Sequence, residues 1–381
     1  MLLKILKAVP YYPPHWGGME VIASYVTHGL RKRGHQVKVV TTQPPKGQPE
    51  IENDPDLYRV PITFKVFNTP VSVKAYGLIN KLAQDVDLIH AYAYPVFFSD
   101  ISAHVASKTK IPFVLEWIID PRQAPAYKES AQAKLVTDFY MKVQGNGVFR
   151  KANAIITLSE NYRRYLVSKG LPREKIEVIP CGVDTELFNP KVSPVDFGDS
   201  SEFVILYVGR ISSQKGLDVL LEAFPEVLQE HPDTLLVIIG LCDQPEFWRK
   251  LQPYMKNVKD HVQFLGGISQ SLLAKYYKTA DLLVFPSRYE SFGMVPLEAS
   301  ACGTPVVSTF AGAVEDLTKK VAFLVEDEKP SHLAKSVNYL LSNDDIRKKM
   351  GWRAAELVAN EYSWETALNK YETAYQKCLN A

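Results

Sequence analysis

The sequence predicts an α/β protein of two doubly wound domains. Three observations predict it. Short apolar runs rich in Val, Ile and Leu recur along the chain, as in residues 203–208 and 235–239. Stretches with helical spacing fall between them, and apolar strands alternating with helices mean parallel sheets covered on both faces. The pattern pauses once, over residues 180–201, which are rich in Pro, Ser, Asp and Gly, and then starts afresh. A chain of 381 residues is long enough for two such cores.

The first half reads as strands at residues 4–9, 36–41, 88–91, 113–116 and 154–158. Helices are expected at 21–33, 95–109 and 161–169. Gly34 just past basic Arg33 suits a helix C-cap, where a left-handed residue and positive charge are both favoured. The second half reads as strands at 203–208, 235–239, 262–265, 282–285, 305–308 and 322–325, with helices that include 217–229 and 272–279. A last helix is expected at 364–377, with Ser363 as its N-cap. The domains are therefore placed at 1–185 and 200–362, with a C-terminal helical segment at 363–381.

Hydrophobic residues make up 46% and charged residues 23%, as in an ordinary soluble protein. A net charge of +2 argues against a nucleic-acid partner. The apolar runs are too short to cross a bilayer. The first nine residues read as a strand with interspersed lysines rather than a signal peptide, so the expected location is the cytoplasm. Cys181, Cys242, Cys302 and Cys378 are widely scattered, which predicts reduced thiols and no structural metal. Residues 121–151 mix aromatic and basic side chains and read as a helix plus loop. A solvated helix face is the plainer reading. A membrane-surface patch is the other, and it would place the chain peripherally at the inner face of the membrane.

Ligands of open α/β sheets sit beyond the carboxyl ends of the strands, and three segments fall there. Gly17-Gly18 follows the first strand and lets a backbone approach a phosphate or sugar. It is not the glycine fingerprint of a dinucleotide site. Arg210 and Lys215 lie on the loop after the strand at 203–208 and could bind a diphosphate, one by its fork and one as a point charge. The richest stretch runs from Glu290 to Glu298: two carboxylates around a Gly turn, between an apolar strand and a helix that stops at Gly303. Phe292, Gly293 and Met294 should carry the free N–H groups of the helix start, a site for anions. Glu298 lies in the helix and leans back toward its N-terminus. It could reach the hydroxyls of a nucleotide whose phosphates cap that helix. Its plain alternative is a buried carboxylate paired with Lys or Arg. Acids beside an anion site suggest a sugar nucleotide.

With these residues in hand, the chain resembles the retaining GT-B glycosyltransferases known as group 1 or family four. The resemblance rests on Glu290 to Glu298 followed by Ala301-Cys302-Gly303-Thr304-Pro305, on Val178-Ile179-Pro180-Cys181-Gly182-Val183-Asp184 with Phe188 and Pro190, and on Leu158-Ser159-Glu160. Gly209-Arg210 with Lys215-Gly216, and Ser363-Trp364-Glu365, complete it in the family's order over nearly the whole chain. It implies two Rossmann-like domains facing a central cleft, with the donor held by the second, the acceptor on the first, and the last helix packed back on the first. It implies transfer of a hexose-type sugar from a nucleoside-diphosphate sugar to a hydroxyl of a glycan, lipid or small molecule, with retention and without cofactor or metal. By the same resemblance, Arg210 and Lys215 hold the diphosphate and Glu298 the ribose. Glu290, Ser291, Phe292, Gly293, Met294 and Val295 meet the transferred sugar and its phosphate, and Gly17 and Gly18 approach the outer phosphate. Arg210, Lys215 and Glu290 thereby form the catalytic set.

The chain departs from the family in places. Gly240-Leu241-Cys242-Asp243 stands where a Gly-x-Gly-Pro turn is common, and Cys181 replaces an Asn. Residues 115–120 carry no histidine, so Glu116, Asp120 and the earlier His90 are the candidates for orienting an acceptor. A structural role is the plain alternative for each. Asp54-Pro55-Asp56 and Asp85-Val86-Asp87 spell a metal motif of other sugar transferases but lie in loops. An epimerase, a phosphorylase or a non-catalytic sugar-nucleotide binder would share the fold.

Overall fold

The computed structural model describes residues 1–15, 17–44, 54–66, 69–92, 97–118, 127, 130–140, 142, 146–196, 202–242, 244–290, 292–309, 315–325 and 327–380. The chain divides into two compact units, one of Met1–Pro180 with Ala367–Ala381 and one of Cys181–Thr366.

The first unit carries β1 (Lys4–Ala8), β2 (Gln36–Thr42), β3 (Leu57–Val60), a hairpin of β4 (Phe64–Val66) and β5 (Thr69–Val71), then β6 (Leu88–Tyr92), β7 (Phe113–Trp117), β8 (Ala154–Thr157) and β9 (Ile176–Val178). Seven of these form one sheet in the order β3-β2-β1-β6-β7-β8-β9, and every described pairing within it is parallel. The central strands are buried at every position of β6 and β7, as their unbroken apolar runs require. Edge strands β3 and β9 were not foreseen. Each has three or four residues and only one fully buried position, so neither leaves a continuous apolar run in the sequence.

The face of this sheet that carries Lys7, His90 and Glu116 is covered by the final helix, Trp364–Asn380. Tyr371 Oη donates to Glu116 Oε1 at 2.7 Å, and Tyr375 Oη meets His90 Nδ1 at 2.8 Å. His90 Nε2 lies 3.1 Å from Glu116 Oε2 without the alignment of a hydrogen bond. Burial depresses the His90 imidazole and pushes the Lys7 ammonium down to about 7, because removal from water disfavours the charged form. Lys7 Nζ donates to Tyr92 Oη at 3.2 Å. At the helix surface, Glu372 takes Arg33 at 2.6 Å and His35 at 2.8 Å. Polar groups on the sheet thus select this helix, because none of them could be left unpaired there cheaply.

The second unit carries β10 (Phe203–Val208), β11 (Thr234–Ile239), β12 (Val262–Gly266), β13 (Leu282–Phe285), β14 (Val306–Thr309) and β15 (Ala322–Val325). Their order is β12-β11-β10-β13-β14-β15, again all parallel. The helix Leu217–Glu230 buries Leu217, Leu220, Leu221, Phe224 and Val227 on the sheet, a spacing with helical period. Fully burying each large apolar side chain contributes roughly 2 kcal/mol. The change of unit comes at Pro180 rather than at 185. Val183 donates to the Tyr362 carbonyl at 2.7 Å and accepts from Trp364 N at 3.3 Å, which ties this segment into the second unit.

Candidate active site

In the second sheet the strand order reverses direction between β10 and β13, and such a switch point opens a crevice beyond the strands' carboxyl ends. Both predicted motifs lie there. Residues 209–216 leave β10, and residues 286–293 leave β13.

The first loop carries Lys215 at the end of a short 3-10 turn, Ser213–Lys215. Gly216 follows with φ +68, and a Cβ there would overlap the Pro286 carbonyl. Only glycine lets the two loops come this close. A Cβ at Gly240 would likewise overlap the Gly209 carbonyl, so the turn after β11 supports the turn after β10. Buried Tyr207 points its hydroxyl at the carbonyls of Arg210, at 3.4 Å, and Lys215, at 3.5 Å. The Arg210 side chain is exposed.

The second loop brings Glu290 to Lys215. The Lys215 ammonium donates to Glu290 Oε1, and Ser287 Oγ donates to the same oxygen at 3.2 Å. Glu290 is only 9% exposed. Arg288 binds the two loops together: its fork meets both oxygens of Asp218, at 2.9 and 2.8 Å, and its backbone N–H donates to the Gln214 carbonyl at 2.9 Å. Gln214 Nε2 returns a bond to the Tyr289 carbonyl at 3.0 Å.

Gly293, at φ +89, then starts the helix Met294–Ala301. The first N–H groups of that helix have no intrahelical acceptors, and the helix dipole adds partial positive charge there. Glu298 is 9% exposed and accepts from Tyr277 Oη at 3.0 Å. Its hydrogen-bond partner is thus a phenol rather than the Lys or Arg considered for it. Burial, only partly offset by that bond, pushes the carboxyl up to about 7. An ammonium, a carboxylate and a helix N-terminus thus converge, with a poised carboxyl behind them.

Two family profiles match this chain. "Glycosyltransferase Family 4" covers residues 16–187 and "Glycosyl transferases group 1" covers residues 193–357. The chain belongs to the group 1 glycosyltransferases. An uncharacterized glycosyltransferase of Methanocaldococcus jannaschii is 29% identical to it over 98% of each chain. A D-inositol 3-phosphate glycosyltransferase of Jonesia denitrificans is 25% identical over 95% of this chain and 91% of its own. Among solved structures, a glycosyltransferase from Rickettsia africae superposes with a TM-score of 0.78 at 21% identity, covering 99% of this chain and 98% of that one. HepE of Anabaena in complex with UDP-glucose gives 0.74 at 20%, covering 97% and 99%. The fold of this glycosyltransferase is therefore GT-B, two Rossmann-like domains.

Phe292 is buried just before the helix Met294–Ala301 and Val295 lies in its first turn; the other predicted residues of the glycosyltransferase lie in the first unit or outside the described residues. Gly18 is the first residue of the helix Gly18–Lys32, which starts earlier than expected, and Gly17 is its N-cap. The Glu20 carboxylate folds back against Gly17, where a Cβ would strike it, and pairs with His15 Nδ1 at 3.1 Å. Burial raises the Glu20 carboxyl. A phosphate approaching Gly17 would meet that acid. His90 and Glu116 are corrections: both are completely buried beneath the final helix, so neither offers an atom to an acceptor. Asp120 and Ser291 lie outside the described residues.

Both Asp-x-Asp motifs are held by neighbours. Asp54 binds Arg31 at 2.7 Å, and Asp85 binds Lys4 at 2.6 Å and Lys38 at 3.3 Å. Among the described residues, no group of three or more His, Cys, Asp or Glu side chains could hold a metal ion. Sequence reasoning missed Tyr277, Arg288 and Asp218. Arg288 stands two residues before Glu290 and could have been weighed. Tyr277 carries no local signal, because its contact with Glu298 spans two helices.

Proposed function

We propose that this glycosyltransferase moves a hexose-type sugar from a nucleoside-diphosphate sugar to an acceptor hydroxyl, with retention and without a divalent metal. The observation that carries the reading is the contact of Lys215 with Glu290 at the switch point, beside the N-terminus of Met294–Ala301 and in front of buried Glu298. The diphosphate takes the ammonium away from Glu290, and Arg210 adds a second cation. Glu290, released, turns to the sugar, and Glu298 takes the ribose hydroxyls. As the glycosidic bond breaks, negative charge grows on the departing diphosphate. With the donor bound, Lys215, Arg210 and the helix dipole would stand beside that charge, so the bond-breaking step itself would need little reorganisation. The departing phosphate takes the acceptor proton on the same face of the sugar. UDP and UDP-glucose bound to the HepE structures support a nucleotide-sugar donor.

A thermal-shift screen over UDP-, ADP- and GDP-sugars tests it. A donor at about a hundred times its Kd stabilises the folded protein by roughly 2.7 kcal/mol. At least one donor should raise the Tm, and glycosylated product should form equally well in excess EDTA. No shift with any donor, or loss of product in EDTA, would count against the reading. An epimerised donor in place of a glycosylated acceptor would reassign the reaction.

A membrane-presented acceptor is favoured by one observation. Leu135 and Phe139 on the helix Ala131–Tyr140 are 73% and 67% exposed, with Val136 and Lys134 beside them also exposed. No described helix is long and apolar enough to cross a membrane. Such a face suits a surface contact, with the apolar side chains entering the headgroup boundary. The protein should float with anionic vesicles at low salt, and Leu135→Asp/Phe139→Asp should not. A wild-type protein that stays at the bottom of the gradient removes this reading.

A further inference from the structure

We propose that Arg288 is a positioning residue for the donor: it holds the Lys215 loop and the Glu290 loop at one spacing after the donor has separated their ion pair. The inference rests on the donor reading above.

The geometry carries it. Lys215 sits between two anchor points, one on its own loop and one in the first turn of the helix Leu217–Glu230, and Arg288 reaches both. Upstream, Arg288 Nη1 donates to the Ser213 carbonyl and its backbone N–H to the Gln214 carbonyl at 2.9 Å. Downstream, its guanidinium meets Asp218 as a two-point fork at 2.9 and 2.8 Å. Nε adds Glu328 at 3.1 Å, from the segment after β15. Glu290 follows two residues later on the same chain segment as Arg288. One side chain therefore links the ammonium's loop to the carboxylate's loop.

The apparent redundancy is what makes the role specific. Without donor, the Lys215–Glu290 contact also joins these loops. With donor, the diphosphate holds Lys215 and the sugar holds Glu290, so that direct link is gone. The Arg288 contacts remain, because none of their acceptors belongs to the proposed donor site. Arg288 is one-third exposed, so its ion pairs add little to the stability of the free protein. Their effect falls on the bound state, where a misplaced charge is costly. A lysine cannot replace the fork, since an ammonium is a single point of contact.

The experiment compares binding of UDP, ADP and GDP by calorimetry to the wild-type protein and to Lys215→Ala, Arg288→Ala, Arg288→Lys and the Lys215→Ala/Arg288→Ala double variant. Melting temperatures are recorded for each. Arg288→Ala should melt within a few degrees of wild type yet bind the preferred nucleotide about tenfold or more weakly. Arg288→Lys should also bind more weakly than wild type. The double variant should bind no worse than Lys215→Ala alone, because Arg288 acts through the lysine's position. With a donor sugar, kcat should fall along with affinity. Wild-type affinity in Arg288→Ala or Arg288→Lys overturns the proposal. So do losses that multiply in the double variant, which would make Arg288 an independent contact. If Arg288→Ala fails to fold, Arg288→Lys decides the matter alone. If Lys215→Ala binds as wild type does, or no nucleotide binds the wild type, the donor reading itself has failed.

Discussion

Replacing Arg210 and Lys215 together by alanine is expected to abolish glycosyl transfer while leaving the second unit folded. Removing one preorganised charge-stabilising donor typically costs about a hundredfold to a thousandfold in rate, and here two are removed. Lys215 should carry the larger share, because it lies at the crevice between two loops and already faces the carboxylate that the sugar would meet. The single Lys215→Ala variant leaves Glu290 with Ser287 as its neighbour. The fold should tolerate this, since the loop spacing is also set by Gly216 against Pro286 and by the bonds around Gln214. The measurement is product formation alongside circular dichroism and thermal melting. A double variant that still transfers sugar at a rate near wild type would remove both residues from the mechanism.

The second large effect concerns Glu298 and pH. Its carboxyl titrates near 4.5 when solvated and at about 7 in the folded protein. A raised folded value means stability that is fully present below 4.5 and lost as pH rises through about 7. Over that window the unfolded chain gives up its proton before the folded one does. The difference of roughly two and a half pKa units corresponds to about 3 kcal/mol. Glu298→Gln keeps the shape without the titration. Its unfolding free energy should therefore lose about 3 kcal/mol of the decline that wild type shows between about pH 4.5 and pH 8. Denaturant titrations at the two pH values read this directly, and parallel pH dependence in the two proteins would refute it. The same variant should bind donor nucleotide poorly, because an amide presents one acceptor where a carboxylate presents two. Hydroxyls of a bound ribose favour the charged carboxylate, so donor binding should release protons near neutral pH. Calorimetry in two buffers of different ionisation enthalpy detects that release.

Much of the architecture could be read from the chain. The predicted β10, β13 and β15 coincide with the observed strands residue for residue, because each is an uninterrupted apolar run. The helix ending before Gly303 was equally plain, with φ +83 at that glycine. β3, β9 and the hairpin of β4 and β5 left no such signal, since half-exposed strands of three or four residues without a continuous apolar run look like loops. His90 and Glu116 show a different limit. A histidine or an acid at the end of a buried strand looks the same in the sequence whether it faces a ligand or a helix. Tyr371 and Tyr375, far along the chain, decided the matter.

By itself, then, the sequence determined the two doubly wound units, the loops that carry Arg210, Lys215 and Glu290, and the helix that carries Glu298. These follow from local periodicity and turn chemistry, which act within a few residues. Only the tertiary structure decided who meets whom. Lys215 pairs with Glu290 because β10 and β13 are neighbours in the sheet, although many residues separate them in the chain. Glu298 is poised near neutrality because burial removes its water, an effect that the hydrogen bond from a tyrosine of another helix only partly offsets. Solvation and charge pairing are properties of the packed chain, and no local pattern encodes them.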